Sequence, residues 1–217
     1  MKRPWTFQIL FPLVMLVLLA VSCDRLLRQW NSDDEQPASQ PVEEETAPAE
    51  TAPAETAGTQ TLNTTDSGQN LVNNAIGIQV TLPNSWSETS GLHESAELQA
   101  VDSGQDLYLI VLAEDAPALN RLGLRENAEN YRSLLRSQLA VDDGEAPTEV
   151  AFVDDEFASQ SEIRGRLADD TPVVYLHTTV VTEERYYQIV MWATPEQYQT
   201  YRSELQNITA TFREIGS

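Results

Sequence analysis

The chain has 217 residues, 41% of them apolar, and a formal charge of -21. That length and apolar fraction suit one ordinary domain with appendages, while an acidic body whose single lysine is Lys2 gives no clustered cations for a phosphate backbone, so nucleic acid is not an expected partner. One cysteine excludes an intramolecular disulfide, a CxxC redox pair and a Cys-based zinc site.

The amino terminus opens with Lys2 and Arg3, and residues 9 to 21 are almost wholly apolar, closed by Ser22 before Cys23. This is the layout of an export signal. The apolar run is shorter than the roughly 20 residues a spanning helix needs, and Pro12 within it weakens a plain helix. Leu19-Ala20-Val21-Ser22-Cys23 resembles the lipobox of bacterial lipoproteins, with Ala20 where Leu is more usual. The resemblance implies cleavage after residue 22 and lipid on the Cys23 sulfur, and two or more acyl chains make such an anchor durable. A retained signal anchor, favoured by Arg25 and Arg28 beyond the run, is the other reading of the same residues. Either way the rest of the chain is expected outside the cytoplasm, in a periplasm or a thylakoid lumen.

From residue 31 to about residue 70 the chain carries acidic runs (Asp33-Asp34-Glu35, Glu43-Glu44-Glu45), the repeated Thr-Ala-Pro-Ala-Glu at 46–50 and 51–55, and no basic residue. Such a composition cannot repay the entropy of ordering, so residues 23–72 are expected to form a disordered tether between a signal peptide at 1–22 and a globular domain at 73–217. A random-coil estimate gives it a reach of roughly 35 to 40 Å. A calcium-binding role for the acids is weaker, because the D-x-[DN]-x-[DN]-G loop pattern is missing from the stretch.

Beyond residue 72 the pattern becomes alternating. Ile76, Ile78, Val80 and Leu82 share one side of a half-buried strand that Pro83 ends. Two more strands are expected at 98–101 and 107–113, joined by Asp102-Ser103-Gly104-Gln105, which holds hairpin-turn residues. Between 127 and 140 the period lengthens: Ala128, Tyr131, Leu135 and Leu139 fall on one helical face, with Glu129, Arg132 and Arg136 on the other. Strands at 148–153, 157–167, 173–181 and 185–193 follow, separated by short acidic joints that imply an antiparallel meander. Thr194-Pro195-Glu196-Gln197 then opens a closing helix with an N-cap hydroxyl, proline at the first helical position and a capping-box glutamine. Tyr198, Tyr201, Leu205, Ile208 and Phe212 mark its buried stripe. The expected class is α+β, an antiparallel sheet of about six or seven strands flanked by helices.

Three segments carry a family resemblance. Gly77-Ile78-Gln79-Val80-Thr81-Leu82-Pro83-Asn84-Ser85-Trp86 resembles the opening of PsbP-like domains, where an apolar strand runs into Pro-x-x-Trp. Arg185-Tyr186-Tyr187 and Ile208-Thr209-Ala210-Thr211-Phe212-Arg213 resemble that family's Tyr-Tyr strand and its terminal helix, with Thr211 in place of the usual Ser. The likeness spans about residues 74 to 214 and rests on packing motifs. It implies an α/β/α sandwich and a largely non-enzymatic role in binding or assembling larger complexes, photosystem II among them. Some members are reported to bind divalent metals, but no family ligand maps onto a residue of this chain.

Site chemistry is sparse. His93 and His177 are the only histidines, too few for a transition-metal site that wants three or four ligands. No G-x-S-x-G elbow and no phosphate loop accompanies the abundant serines and glycines. The pairs Asp154-Asp155, Asp169-Asp170 and Glu183-Glu184 fall at strand joints and read as turn residues rather than catalytic carboxylates. One local feature stands out: Arg121, Arg125, Arg132 and Arg136 lie within sixteen residues holding only Glu126 and Glu129 as acids. If helical, each pair shares a side and forms either a docking stripe for an acidic protein partner or a set of internal ion pairs. The expectation is thus a non-catalytic extracytoplasmic lipoprotein without cofactor or metal, holding the membrane through Cys23 and an unidentified protein through its surface. A small-ligand or divalent-cation binding module is the second reading.

Overall fold

The computed structural model describes residues 60–65, 68–115 and 123–215. The leader, Cys23, the spacer as far as residue 59 and Arg121 lie outside them.

The described chain is an antiparallel α+β fold in which sheet outweighs helix. Two sheets form. The smaller has the order β1 (Gln60–Thr65), β2 (Gly68–Asn73), β3 (Ile78–Leu82) and β12 (Arg213–Glu214). The larger runs β4 (Ser87–Glu88), β5 (Leu98–Asp102), β6 (Leu107–Asp115), β11 (Arg185–Ala193), β10 (Pro172–Val181), β9 (Glu156–Arg166) and β7 (Val141–Pro147), with β8 (Phe152–Val153) also on β9. Every pairing is antiparallel, and the meander β9-β10-β11 forms as the short acidic joints require.

Helix α1 (Leu124–Ser137) covers one face of the larger sheet, where Tyr131 and Leu135 pack on Ile110, Leu112 and Val190. The opposite face holds the main core with the smaller sheet and α2 (Pro195–Ala210): Leu71, Val80, Trp86, Leu109, Tyr187 and Leu205 are all essentially fully buried in it. α2 starts as the sequence expects, because the Thr194 hydroxyl accepts from the Gln197 N–H and Pro195 occupies the first turn.

Five expectations need correction. Residues 60–72, assigned to the disordered tether, include β1 and most of β2. Polar side chains hide this pairing: Gln60 exchanges bonds with the backbone of Thr89 and Gln99, and Gln69 donates to the carbonyls of Pro83 and Trp86 at 3.1 and 3.0 Å. Of the strand expected at 148–153 only Phe152–Val153 forms, and an unexpected strand precedes it at Val141–Pro147, an acidic segment with a bulge between Asp142 and Gly144. Such an irregular, charged strand suits a sheet edge. The single expected sheet is divided in two, because β3 takes β2 and β12 as neighbours instead of joining the meander. Finally, α1 ends at Ser137 rather than at 140, and Phe212 packs from beyond the end of α2 while remaining 1% exposed.

Candidate functional site

The acidic pairs sit where a turn reading puts them. Asp154, Asp155 and Asp170 have positive φ, at 52°, 65° and 66°. Asp and Asn are the residues after glycine that best tolerate this left-handed region. Asp169 also accepts from the Thr171 N–H at 3.1 Å. These carboxylates shape hairpins and do not converge.

His177 is spent on the interior. It lies at the middle of β10 with no exposed surface, under α1, its ring stacked on Tyr131 with centroids 5.0 Å apart. Gln188, on the neighbouring β11, donates its amide to Asn127 Oδ1 at 2.6 Å. Its oxygen therefore faces the other way and accepts from Thr179 Oγ1 at 2.7 Å and from His177 Nε2 at 2.8 Å. The proton is thus on Nε2, and among the described residues Nδ1 has no hydrogen-bond partner. Burial pushes this histidine down to about 4, against the bond to Gln188, so the ring is neutral at pH 7. The nearby Glu114 carboxyl is pushed up by burial, opposed by a hydrogen bond from Asn127. His93 is half-buried in the loop before β5, where its Nδ1 accepts from the Ser95 N–H at 3.2 Å. Among the described residues no group of three His, Cys, Asp or Glu stands within metal-ligating range.

The arginine stripe divides. Arg125 is exposed near the start of α1. Arg132, expected on the solvent face, is on the sheet-facing side with Asn127 and Ala128, and its side chain is only 9% exposed. It meets Glu129 at 2.7 Å and Glu145 of β7 at 3.4 Å. Arg136 bonds Asp142 at 2.7 Å. The solvent-face assignment of Arg132 fails because sheet contact extends around α1 from Ala128 to Arg132, and Glu129 on α1 with Glu145 on β7 supplies the countercharge that makes its burial tolerable. These two arginines clamp the edge strand β7 to α1.

A second charged cluster fills the cleft between β9 and the first turns of α2. Glu162, 6% exposed, accepts from Arg202 at 2.6 Å and from Arg164 at 2.9 Å. Burial alone would raise its carboxyl, but Arg202, the nearby Tyr198 hydroxyl and Arg164 together outweigh it and hold it below the usual carboxylate range. Two guanidiniums around one carboxylate make a lining unsuited to a divalent cation.

Among the described residues the large apolar side chains left exposed are Val141 on the edge strand β7 and a pair of phenylalanines. Phe152 and Phe157 are 58% and 63% exposed, directly opposite one another in the β8–β9 hairpin, with ring centroids 5.1 Å apart. Their neighbours Val153 and Ala158 point the other way into the main core, at 3% and 6% exposure. Alternation in the sequence places Phe157 on that side of its strand, but only the end of α1's coverage decides that the ring stays bare.

No protein-family model and no curated protein matches the chain. Among solved structures, it is similar to the cyanobacterial PsbP protein CyanoP of Synechocystis sp. PCC 6803, at 12% identity over 77% of this chain and 99% of that one, with a TM-score of 0.49. It is also similar to LpqN of Mycobacterium tuberculosis, described as involved in cell envelope biogenesis, at 12% identity over 73% of this chain and 91% of that one, with a TM-score of 0.44. A Pseudomonas aeruginosa protein of unknown function, described as a putative regulator, shares 8% identity over 74% of this chain and 100% of its own, with a TM-score of 0.41.

Proposed function

We propose that this protein is an extracytoplasmic lipoprotein, held to a membrane by lipid on Cys23, whose folded domain works without catalysis by binding a protein partner near that membrane. The reading of place rests on Leu19-Ala20-Val21-Ser22-Cys23 behind its short apolar run, and on the acidic spacer that separates Cys23 from the first described strand. The assignment to the PsbP-like family rests on the three motif segments, whose largest side chains pack into one core: Trp86, Tyr187 and Phe212 are each at most 1% exposed, and the last two rings lie 4.9 Å apart.

The observation that carries the binding role is the bare Phe152–Phe157 pair on an ordered hairpin, while His177, Arg132 and Glu162 are each committed to internal bonds. Large aromatic rings held outside a fold are characteristic of the centres of protein interfaces. Photosystem II is one setting that the family likeness suggests for such a partner.

Membrane fractionation of the native host grown with labelled fatty acid tests the tether: the wild-type chain should sediment with membranes and Cys23→Ser should not be anchored by lipid. Labelled fatty acid that enters neither chain, or enters wild type and Cys23→Ser alike, removes the lipid-anchor reading.

A further inference from the structure

The β8–β9 hairpin is built to project its aromatic pair. Val153 and Ala158 anchor it in the core, and the register Phe152↔Phe157, Val153↔Glu156 is fixed by that anchoring, because a slip of one residue would exchange the buried and exposed sides. The turn itself is Asp154-Asp155, both in the left-handed region. Left-handed geometry at both central positions matches the twist of paired strands, so the turn is a stiff one. Two charges thereby stand at the tip, where glycine or asparagine would serve the backbone equally well.

The charges exposed at the neighbouring turn tip are also acidic, and Arg185 beside them is turned to Asp115 and the Ile76 carbonyl. Phe157 pairs with Val181 on β10, at the end of the sheet where the β10–β11 turn carries exposed Glu183 and Glu184. An apolar patch thus sits between two acidic hairpin tips. Cross-strand contact between the rings recovers only part of what burial would, since more than half of each ring's residue surface remains in water.

We propose that this hairpin docks into an apolar pocket rimmed by lysine and arginine on a partner protein. The inference deepens the partner-binding reading above and rests on it. Charge selects the occupant. A second copy of this chain would bring acidic tips against acidic tips, and an anionic bilayer would repel them. A basic rim gains from the same four carboxylates, steers the encounter and leaves the two rings to fill the pocket.

The test uses the full chain in its native membranes, with a photo-crosslinking benzoylphenylalanine in place of Phe157. The expected adduct is with a different protein, at an apolar site flanked by Lys or Arg. With that partner purified, Phe152→Ser/Phe157→Ser should weaken binding by about tenfold or more. Glu183→Lys/Glu184→Lys, which leaves the aromatic hairpin intact, should weaken it further as salt is lowered and be restored by acidic substitutions in the partner's rim. An adduct only with the chain itself, only with lipid, or with a surface lacking basic residues overturns the proposal, as does no adduct or unchanged affinity of the correctly folded Phe variant. The two levels separate cleanly: a Phe variant that keeps its partner while Cys23 carries lipid sinks the hairpin alone, whereas a non-lipidated wild type sinks the anchor whatever the adduct shows.

Discussion

Gln188 Nε2 donates to Asn127 Oδ1 at 2.6 Å, and this bond joins the centre of the large sheet to α1 beside the apolar contacts of Tyr131 and Leu135. Both residues are buried, at 0% and 4% exposure, so neither amide has water as a substitute. The bond also orients Gln188 so that its oxygen meets His177 and Thr179.

Asn127→Ala should therefore destabilise the domain by about 1 to 3 kcal/mol, the usual cost of leaving a buried amide without its partner. Urea denaturation with an unchanged m-value checks this. An effect no larger than that of a surface substitution would show that the bond contributes little.

His177 gives the fold a pH dependence with a definite sign. Its native ring is pushed down to about 4 by burial, whereas the unfolded ring titrates near 6.5. Between those values the unfolded chain binds more protons, so stability falls as pH drops from about 6.5 and the loss is complete below about 4. The full contribution is about 3 kcal/mol at most. Glu114, pushed up by burial, titrates with the opposite sign. The difference between wild type and His177→Asn, followed by thermal melting from pH 7 to 4, isolates the histidine: the variant should lose stability less steeply.

Arg132 and Arg136, four residues apart on α1, should respond unequally to truncation. Arg132→Ala removes a 9%-exposed guanidinium that faces Glu129 and Glu145, and should cost about 2 kcal/mol. Arg136 is 38% exposed at the side chain, and Arg136→Ala should have a much smaller effect that fades further with added salt. Equal effects on the denaturation midpoint would contradict the burial assigned to Arg132.

Gly165 lets the edge strand approach β9. A Cβ there would collide with the Val141 carbonyl oxygen and lie 2.6 Å from Leu139 Cδ1. Gly165→Ala should destabilise by about 1 to 3 kcal/mol and accelerate amide exchange selectively in Val141–Pro147. Uniform exchange across the sheet would indicate a different weak point.

Much of the architecture is legible in the sequence because it is written in periodicity. The alternation through Ile78, Val80 and Leu82, the capping box at Thr194 and Gln197, and the acidic joints at 154–155, 169–170 and 183–184 each depend on neighbours a few residues away. What is hidden depends on distant partners. β1 and β2 read as spacer because their order comes from Gln60 and Gln69 bonding backbone up to 39 residues away. β7 reads as a joint because its acids answer arginines on α1. Arg132 reads as a surface cation because a helical wheel knows nothing of Glu145. The aromatic pair is visible only once the extent of α1's cover is known. His177 is legible as a strand residue, but its buried role comes from Tyr131 on α1 and Gln188 on β11.

Intact-mass analysis of the mature chain purified from its own membranes tests the account most directly. The account predicts a polypeptide beginning at Cys23 and heavier than residues 23–217 by a diacylglyceryl thioether, with or without a further acyl group on the new amino terminus. A chain that retains residues 1–22, or that begins elsewhere with no lipid mass, contradicts it.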